Sequence, residues 1–224
     1  MAKTNPGSKE NKRFYSNGAL NELKFIKDGK IEGEYTSYFP NEQIMAQLHF
    51  TRGKKNGTAT SYYDHGQIRE KANFVNDNLE GQYISYYKDG VIREQENYKN
   101  GKLDGLYRIY YKTGQLKEEE NFKNGKFDGE YICYYKTGQI KEKGAFQNDK
   151  RVAEYIAYYR NGEIKEKATY KNGKLVDKFC TYGESNSTGA AGGDDNDSNS
   201  GNWEEKDVAG LLQDLATFEN KKPE

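Results

Sequence analysis

The chain has 224 residues, 35 basic and 35 acidic side chains, and a mean hydropathy of -1.15. So little apolar content excludes an aliphatic core of the usual kind, and no apolar run is long enough to span a bilayer as a helix. Aromatics nonetheless reach 14%, with 20 Tyr, which excludes a disordered polyampholyte and points to a core of amphipathic rings.

Residues 1–13 form an N-terminal extension, charged and without the apolar stretch of a secretory leader. Cys133 and Cys180 have neither metal-ligand spacing nor a disulfide framework. A cytoplasmic protein with free thiols is the expectation.

From residue 14 the chain repeats every 24 residues, marked by Phe14, Tyr38, Tyr62, Tyr86, Tyr110, Tyr134, Tyr158 and Tyr182. Seven repeats cover 14–181, and Tyr182 closes a domain spanning 14–182. A fixed period of this size predicts a solenoid or an array. Each repeat is numbered from position 1 at these aromatic residues.

Two turn signals recur in each repeat. Positions 15 and 16 read Asp28-Gly29, Asn100-Gly101 or Asn124-Gly125, and positions 4 and 5 read Asn17-Gly18, Thr113-Gly114 or Thr137-Gly138. Both predict two-residue hairpin loops of type I′. The result is an all-β, elongated, twisted single-layer antiparallel meander of about fourteen strands, roughly 60–65 Å long.

Such loops fix the register. Within a repeat, positions 13, 11, 9 and 7 oppose 18, 20, 22 and 24. Across the next loop, 2, 24, 22 and 20 oppose 7, 9, 11 and 13. Both hairpins sort the side chains alike, giving one packing face and one wet face. Glycine at position 20 (Gly33, Gly57, Gly81, Gly105, Gly129) then lies beside the position 13 ring of the next repeat, which can cover its backbone. Glutamate at position 9 (Glu22, Glu70, Glu94, Glu118, Glu142, Glu166) falls on the packing face. Either neighbouring Tyr and Ser hydroxyls satisfy it, or it forms an acidic groove for a basic partner.

After the repeats, 183–202 is an acidic Gly/Ser/Asn/Asp linker. Residues 203–222 recover helical periodicity, with Trp203 at the start and Val208, Leu211, Leu212, Leu215 and Phe218 on one stripe. A short amphipathic helix of this kind needs a surface. Either it docks on this sheet or it docks on a partner. Residues 183–224 hold ten acids and three Lys, so the rest of the chain is correspondingly basic and can attract the tail or an acidic partner.

Catalytic signatures are missing. His49 and His65 are the only histidines, and neither has a nucleophile beside it in the predicted register. There is no phosphate loop, zinc spacing or nucleophile elbow. The expectation is a protein that is not an enzyme and needs no cofactor or metal. The candidate binding residues are two rows read as neighbours on the wet face: Tyr62, Tyr86, Tyr110, Tyr134 and Tyr158 at position 1, and Arg69, Arg93, Lys117, Lys141 and Lys165 at position 8. Aromatics beside cations are typical interface material. The stripe from Trp203 to Phe218 is the second candidate.

The segments YYKTGQIKEKGAF, NGKLDG and DGEYI resemble the MORN-repeat superfamily, and most closely the bacterial variant in the YwqK-like antitoxin family. The resemblance spans all seven repeats. It implies a β-hairpin array that binds proteins, with immunity to a co-encoded toxin by occlusion as the specific form. A scaffold that holds one partner on the sheet and recruits another through 203–222 is the alternative, and a peripheral membrane module is a further one. Nucleic acid is not an expected partner.

Overall fold

A computed structural model of the chain describes residues 7–181. Seventeen strands form one open antiparallel sheet, in which each hairpin arm pairs with the next along the chain from Lys9–Phe14 to Lys174–Cys180. Seventeen replace the expected fourteen for two reasons. The strand Lys9–Phe14 lies almost wholly in the N-terminal extension and pairs with Leu20–Lys27. Two hairpin arms are also broken in two, Asn78–Leu79 from Gly81–Tyr86 and Lys102–Leu103 from Gly105–Tyr110. The linker 183–202 and the expected helix 203–222 lie outside the described residues.

The turn at positions 15 and 16 is type I′, with both residues at positive φ (Asn124 at 53°, Gly125 at 79°). The turn at positions 4 and 5 is not. There only position 5 is left-handed, as at Gly114 and Gly138 (both 86°). Gly114 N–H donates to the Tyr111 carbonyl and Tyr111 N–H to the Gln115 carbonyl, each at 2.8 Å. This is a three-residue loop, a type I turn closed by a glycine bulge. Thr113 and Thr137 at position 4 fit it, because a β-branched side chain resists positive φ, but Asn17-Gly18 and Asp89-Gly90 close the same loop.

The register inside each repeat also departs from expectation. Phe122 faces Phe127 as predicted, but Glu120 then faces Tyr131 and Glu118 faces Cys133. Asn121 is left opposite three residues, Asp128, Gly129 and Glu130. This slip of two keeps every side chain on its assigned face. On the far side of the repeat the predicted pairs hold: Gly129 with Phe146, Tyr131 with Gly144, Cys133 with Glu142. The packing face therefore gathers Ala46, Leu48, Phe74, Leu79, Tyr83 and Tyr98 in one buried cluster, and Phe127, Tyr131 and Cys133 in another.

The bulge explains the motif NGKLDG. Gly125 N–H donates to the Leu103 carbonyl at 2.7 Å, and Asn124 N–H to Asp104 Oδ2 at 3.0 Å. From repeat 2 onward the type I′ turn is thus seated on the position 18 carbonyl of the repeat before, and also on its position 19 carboxylate where that residue is Glu32, Glu80, Asp104 or Asp128. Arg52 N–H on Glu32 (2.6 Å), Asn100 N–H on Glu80 (2.8 Å) and Asn148 N–H on Asp128 (3.2 Å) repeat the arrangement. Where the turn is Asn-Asp, its aspartate accepts a bond in return, from Lys55 N–H to Asp77 and from Phe127 N–H to Asp149, both at 2.8 Å. Gly129 turns the bulge at φ 136°, and a Cβ there would stand 2.7 Å from Asn121 Cβ. Its glycine is required by this conformation first, and its place beside Phe146 is secondary.

The last repeat breaks the pattern. Position 20 is Asp177, which does not take positive φ, and the slip there is one residue instead of two. One residue reverses the faces. Phe179, where inner repeats bury a Tyr, lands opposite Lys167 on the wet side. Lys178 takes the inner side, with Nζ 3.1 Å from Glu166.

Candidate partner-binding surface

The edge of the sheet formed by the three-residue loops is built on the position 2 tyrosines. Each hydroxyl donates to the position 1 carbonyl of the following repeat: Tyr63 to Tyr86 at 2.7 Å, Tyr87 to Tyr110 at 2.8 Å, Tyr111 to Tyr134 at 2.7 Å and Tyr135 to Tyr158 at 2.8 Å. A ring tied at its far end presents a fixed face. Cations lie over these faces: Lys88 Nζ 5.9 Å from the Tyr63 centroid, Lys117 and Lys136 each 5.8 Å from Tyr111, and the Arg160 guanidinium 5.6 Å from Tyr135. Lys88, Lys112, Lys136 and Arg160 occupy position 3 of successive repeats and are exposed. Two strands separate neighbours, so the cations recur about every 10 Å.

The predicted rows fall otherwise. Tyr62, Tyr86, Tyr110, Tyr134 and Tyr158 are half-buried on the wet face. Tyr62 donates to Gln47 Oε1 at 2.9 Å, Tyr110 to Gln95 Oε1 at 2.7 Å, and Lys143 lies 5.9 Å over Tyr158. At position 8, Arg69, Arg93 and Lys117 turn to the packing side. Arg93 donates from Nε to Ser85 Oγ at 3.2 Å and pairs with Glu94 at 3.3 Å. Arg69 stands 3.4 Å from the buried Glu70, and Lys117 is over Tyr111, not beside Tyr110. Lys141 is half-buried, and Lys165 is exposed on the outer repeat. The two rows are not brought together, because a one-residue bulge pairs Tyr110 with Leu116 and displaces Lys117. The position 3 cations escaped the sequence reading, although Lys88, Lys112, Lys136 and Arg160 stand 24 apart in plain sight.

Inside the packing face the glutamates are held by hydroxyls, one of the two expected alternatives. Tyr35 donates to Glu22 at 3.0 Å, Ser85 to Glu94 at 3.3 Å and Tyr131 to Glu142 at 3.2 Å, while Tyr155 also bonds Glu142. Glu96 accepts from Tyr98 at 2.5 Å. Glu70 and Glu120, only 1% and 0% exposed, are out of a partner's reach. Burial, reinforced by these carboxylates, pushes the phenols of Tyr83, Tyr98, Tyr107 and Tyr131 well above the ordinary tyrosine range. Burial likewise pushes the Cys133 thiol up to about 11, so it is a poor nucleophile. His65 is exposed in its loop. Its bond to Asp64 (3.3 Å) raises its pKa, and its ring stacks on Tyr63 with centroids 5.6 Å apart. Among the described residues no group of three or more His, Cys, Asp or Glu side chains could hold a metal.

The MORN repeat variant family matches six consecutive segments, residues 31–51, 55–76, 79–100, 103–124, 127–148 and 151–172. Together they are more than half of the chain. No curated protein matches it. Each segment begins at position 18 and ends in or just before the next type I′ turn, so the family unit is the hairpin around the three-residue loop, with its tied tyrosine and seated turn. The chain belongs to the MORN repeat variant family.

Proposed function

We propose that the chain is a non-enzymatic protein-binding ladder whose loop edge engages an acidic surface on a partner protein. MORN repeats generally bind proteins or membranes. The observation that carries the reading is the row Lys88, Lys136 and Arg160 over tyrosine rings whose hydroxyls are bonded to the next repeat. Rigid aromatics backing exposed cations make contact area at small entropic cost, and the cations steer an anionic partner. The specific form is an antitoxin that occludes a co-encoded toxin, which the resemblance of YYKTGQIKEKGAF and NGKLDG to that family supports.

The test is co-expression with the protein encoded beside it. The wild-type chain rescues growth, and the variant K88E/K136E/R160E, with unchanged circular dichroism, binds at least tenfold more weakly. Wild-type affinity also falls as salt rises. Undiminished binding by the variant overturns the surface. Absence of rescue and of binding by the wild type overturns the antitoxin form. Removing 183–224 leaves an antitoxin active, whereas an adaptor loses a partner.

A further inference from the structure

The two ends of the ladder are unlike. The first strand, Lys9–Phe14, reads KENKRF and exposes one large apolar side chain, Phe14 at 56%, and its charged side chains guard an open sheet edge. The last, Lys174–Cys180, exposes Leu175 at 51%, Val176 at 63% and Phe179 at 59%. At the same repeat positions Leu79 and Phe127 (position 18) and Tyr83, Tyr107 and Tyr131 (position 22) are buried, because another repeat follows them. Here none follows, and the short slip at Asp177 has already turned Phe179 to the far side. The three do not share a face: Leu175 faces Tyr170 on the packing side and Phe179 faces Lys167 on the wet side, so apolar surface is open on both flanks of this terminal strand.

We infer that this strand is the seat of the chain's own segment 203–222, which takes the place of the missing repeat. The chain leaves the described region at Thr181, one residue beyond Cys180, so the linker starts at the seat itself. Roughly 21 linker residues span about 25 Å on average, enough to fold back over one strand. The segment carries a stripe of five apolar residues, Val208, Leu211, Leu212, Leu215 and Phe218. Charge matches as well. Residues 164–180 hold five Lys against Glu166 and Asp177, while 183–224 hold ten acids and three Lys. A tether of this length gives an effective concentration of about 1 mM, so even a contact of about 0.1 mM affinity is roughly 90% closed. The seat is at the C-terminal end and the cation row is on the loop edge, so this inference does not rest on the proposed partner.

Trp203 is the only tryptophan, and its emission reports the tail in the full-length protein. Emission is expected at shorter wavelength in the wild type than in V176K/F179K. Amide exchange across 174–180 is expected to be about tenfold slower in the wild type than in L211D/L215D. Both differences should persist through a hundredfold dilution and weaken with salt. Equal emission and equal exchange in all three proteins overturn the inference. Differences that vanish on dilution place a second copy on the strand and overturn it too.

Discussion

Tyr111→Phe removes one oxygen and leaves the ring. The lost hydroxyl bridges two repeats, donating to the Tyr134 carbonyl at 2.7 Å. The site is half-buried, so water can reach the orphaned carbonyl and the loss falls at the low end for a hydrogen bond, about 0.5–1 kcal/mol. Of the five such bonds among the described residues, those from Tyr63, Tyr87, Tyr111 and Tyr135 lie about 10 Å apart in consecutive repeats and should add nearly independently. The fourfold Phe variant should therefore lose about 2–4 kcal/mol. The chain contains its own control, since repeat 2 has Phe39 at this position. Phe39→Tyr should recover about 0.5–1 kcal/mol by reaching the Tyr62 carbonyl. Urea denaturation followed by circular dichroism reads both, as midpoint shifts at constant m. A fourfold variant within about 0.5 kcal/mol of wild type would refute the claim that these hydroxyls tie the repeats together.

Gly129→Ala should cost more than 2 kcal/mol, because φ 136° and a Cβ 2.7 Å from Asn121 add strain to a clash. Gly81→Ala, at φ 78° with nothing within 4 Å, should cost only about 1 kcal/mol, and thermal melts would rank the two. Alkali should unfold the ladder steeply. Tyr83, Tyr98, Tyr107 and Tyr131 keep their protons when folded and lose them above pH about 10 when unfolded. Their contribution is complete below that pH and falls by up to about 1.4 kcal/mol per unit per tyrosine as pH rises, to be read in melts at stepped pH. Asp177→Gly should restore the wider bulge and swing Phe179 onto the packing face, with nuclear Overhauser contacts to Ala168. Contacts that stay with Lys167 would show that position 20 does not set the slip.

Much of this was legible in the sequence, and the misreadings have physical causes. Asn-Gly at positions 15 and 16 demands two positive φ angles and names its turn outright. Glycine at position 5 demands only one, and Asn17-Gly18 and Asp89-Gly90 close the same three-residue loop as Thr113-Gly114, so the dipeptide there does not name its turn. A glycine within a strand, such as Gly129, fits both a covered backbone and a bulge, and the pattern does not separate them. The acid before it, Asp104 or Asp128, does so only once it is seen to accept an amide from the next turn. The face assignment survived because the slip is two residues. The binding rows did not, because the bulge beside Tyr110 is one residue and sends Lys117 to the other side. Glutamate under tyrosine was foreseeable from spacing alone. The cations at position 3 looked like ordinary loop residues until the rings below Lys88, Lys136 and Arg160 were visible.

The seating of each turn has a direction. From repeat 2 onward the position 16 amide reaches back to the repeat before, and the position 15 amide does so wherever position 19 there is acidic, as Gly125 and Asn124 do to Leu103 and Asp104. Excising an inner block of 24 residues would join the position 16 amide to a position 18 carbonyl of the same kind, and duplicating one would do likewise. Excising 23 would leave a donor facing the wrong atom. Ladder length is therefore quantised, in units of about 10 Å, and the reach of its surface can be matched to a partner by adding or dropping whole units, with no seam to refit.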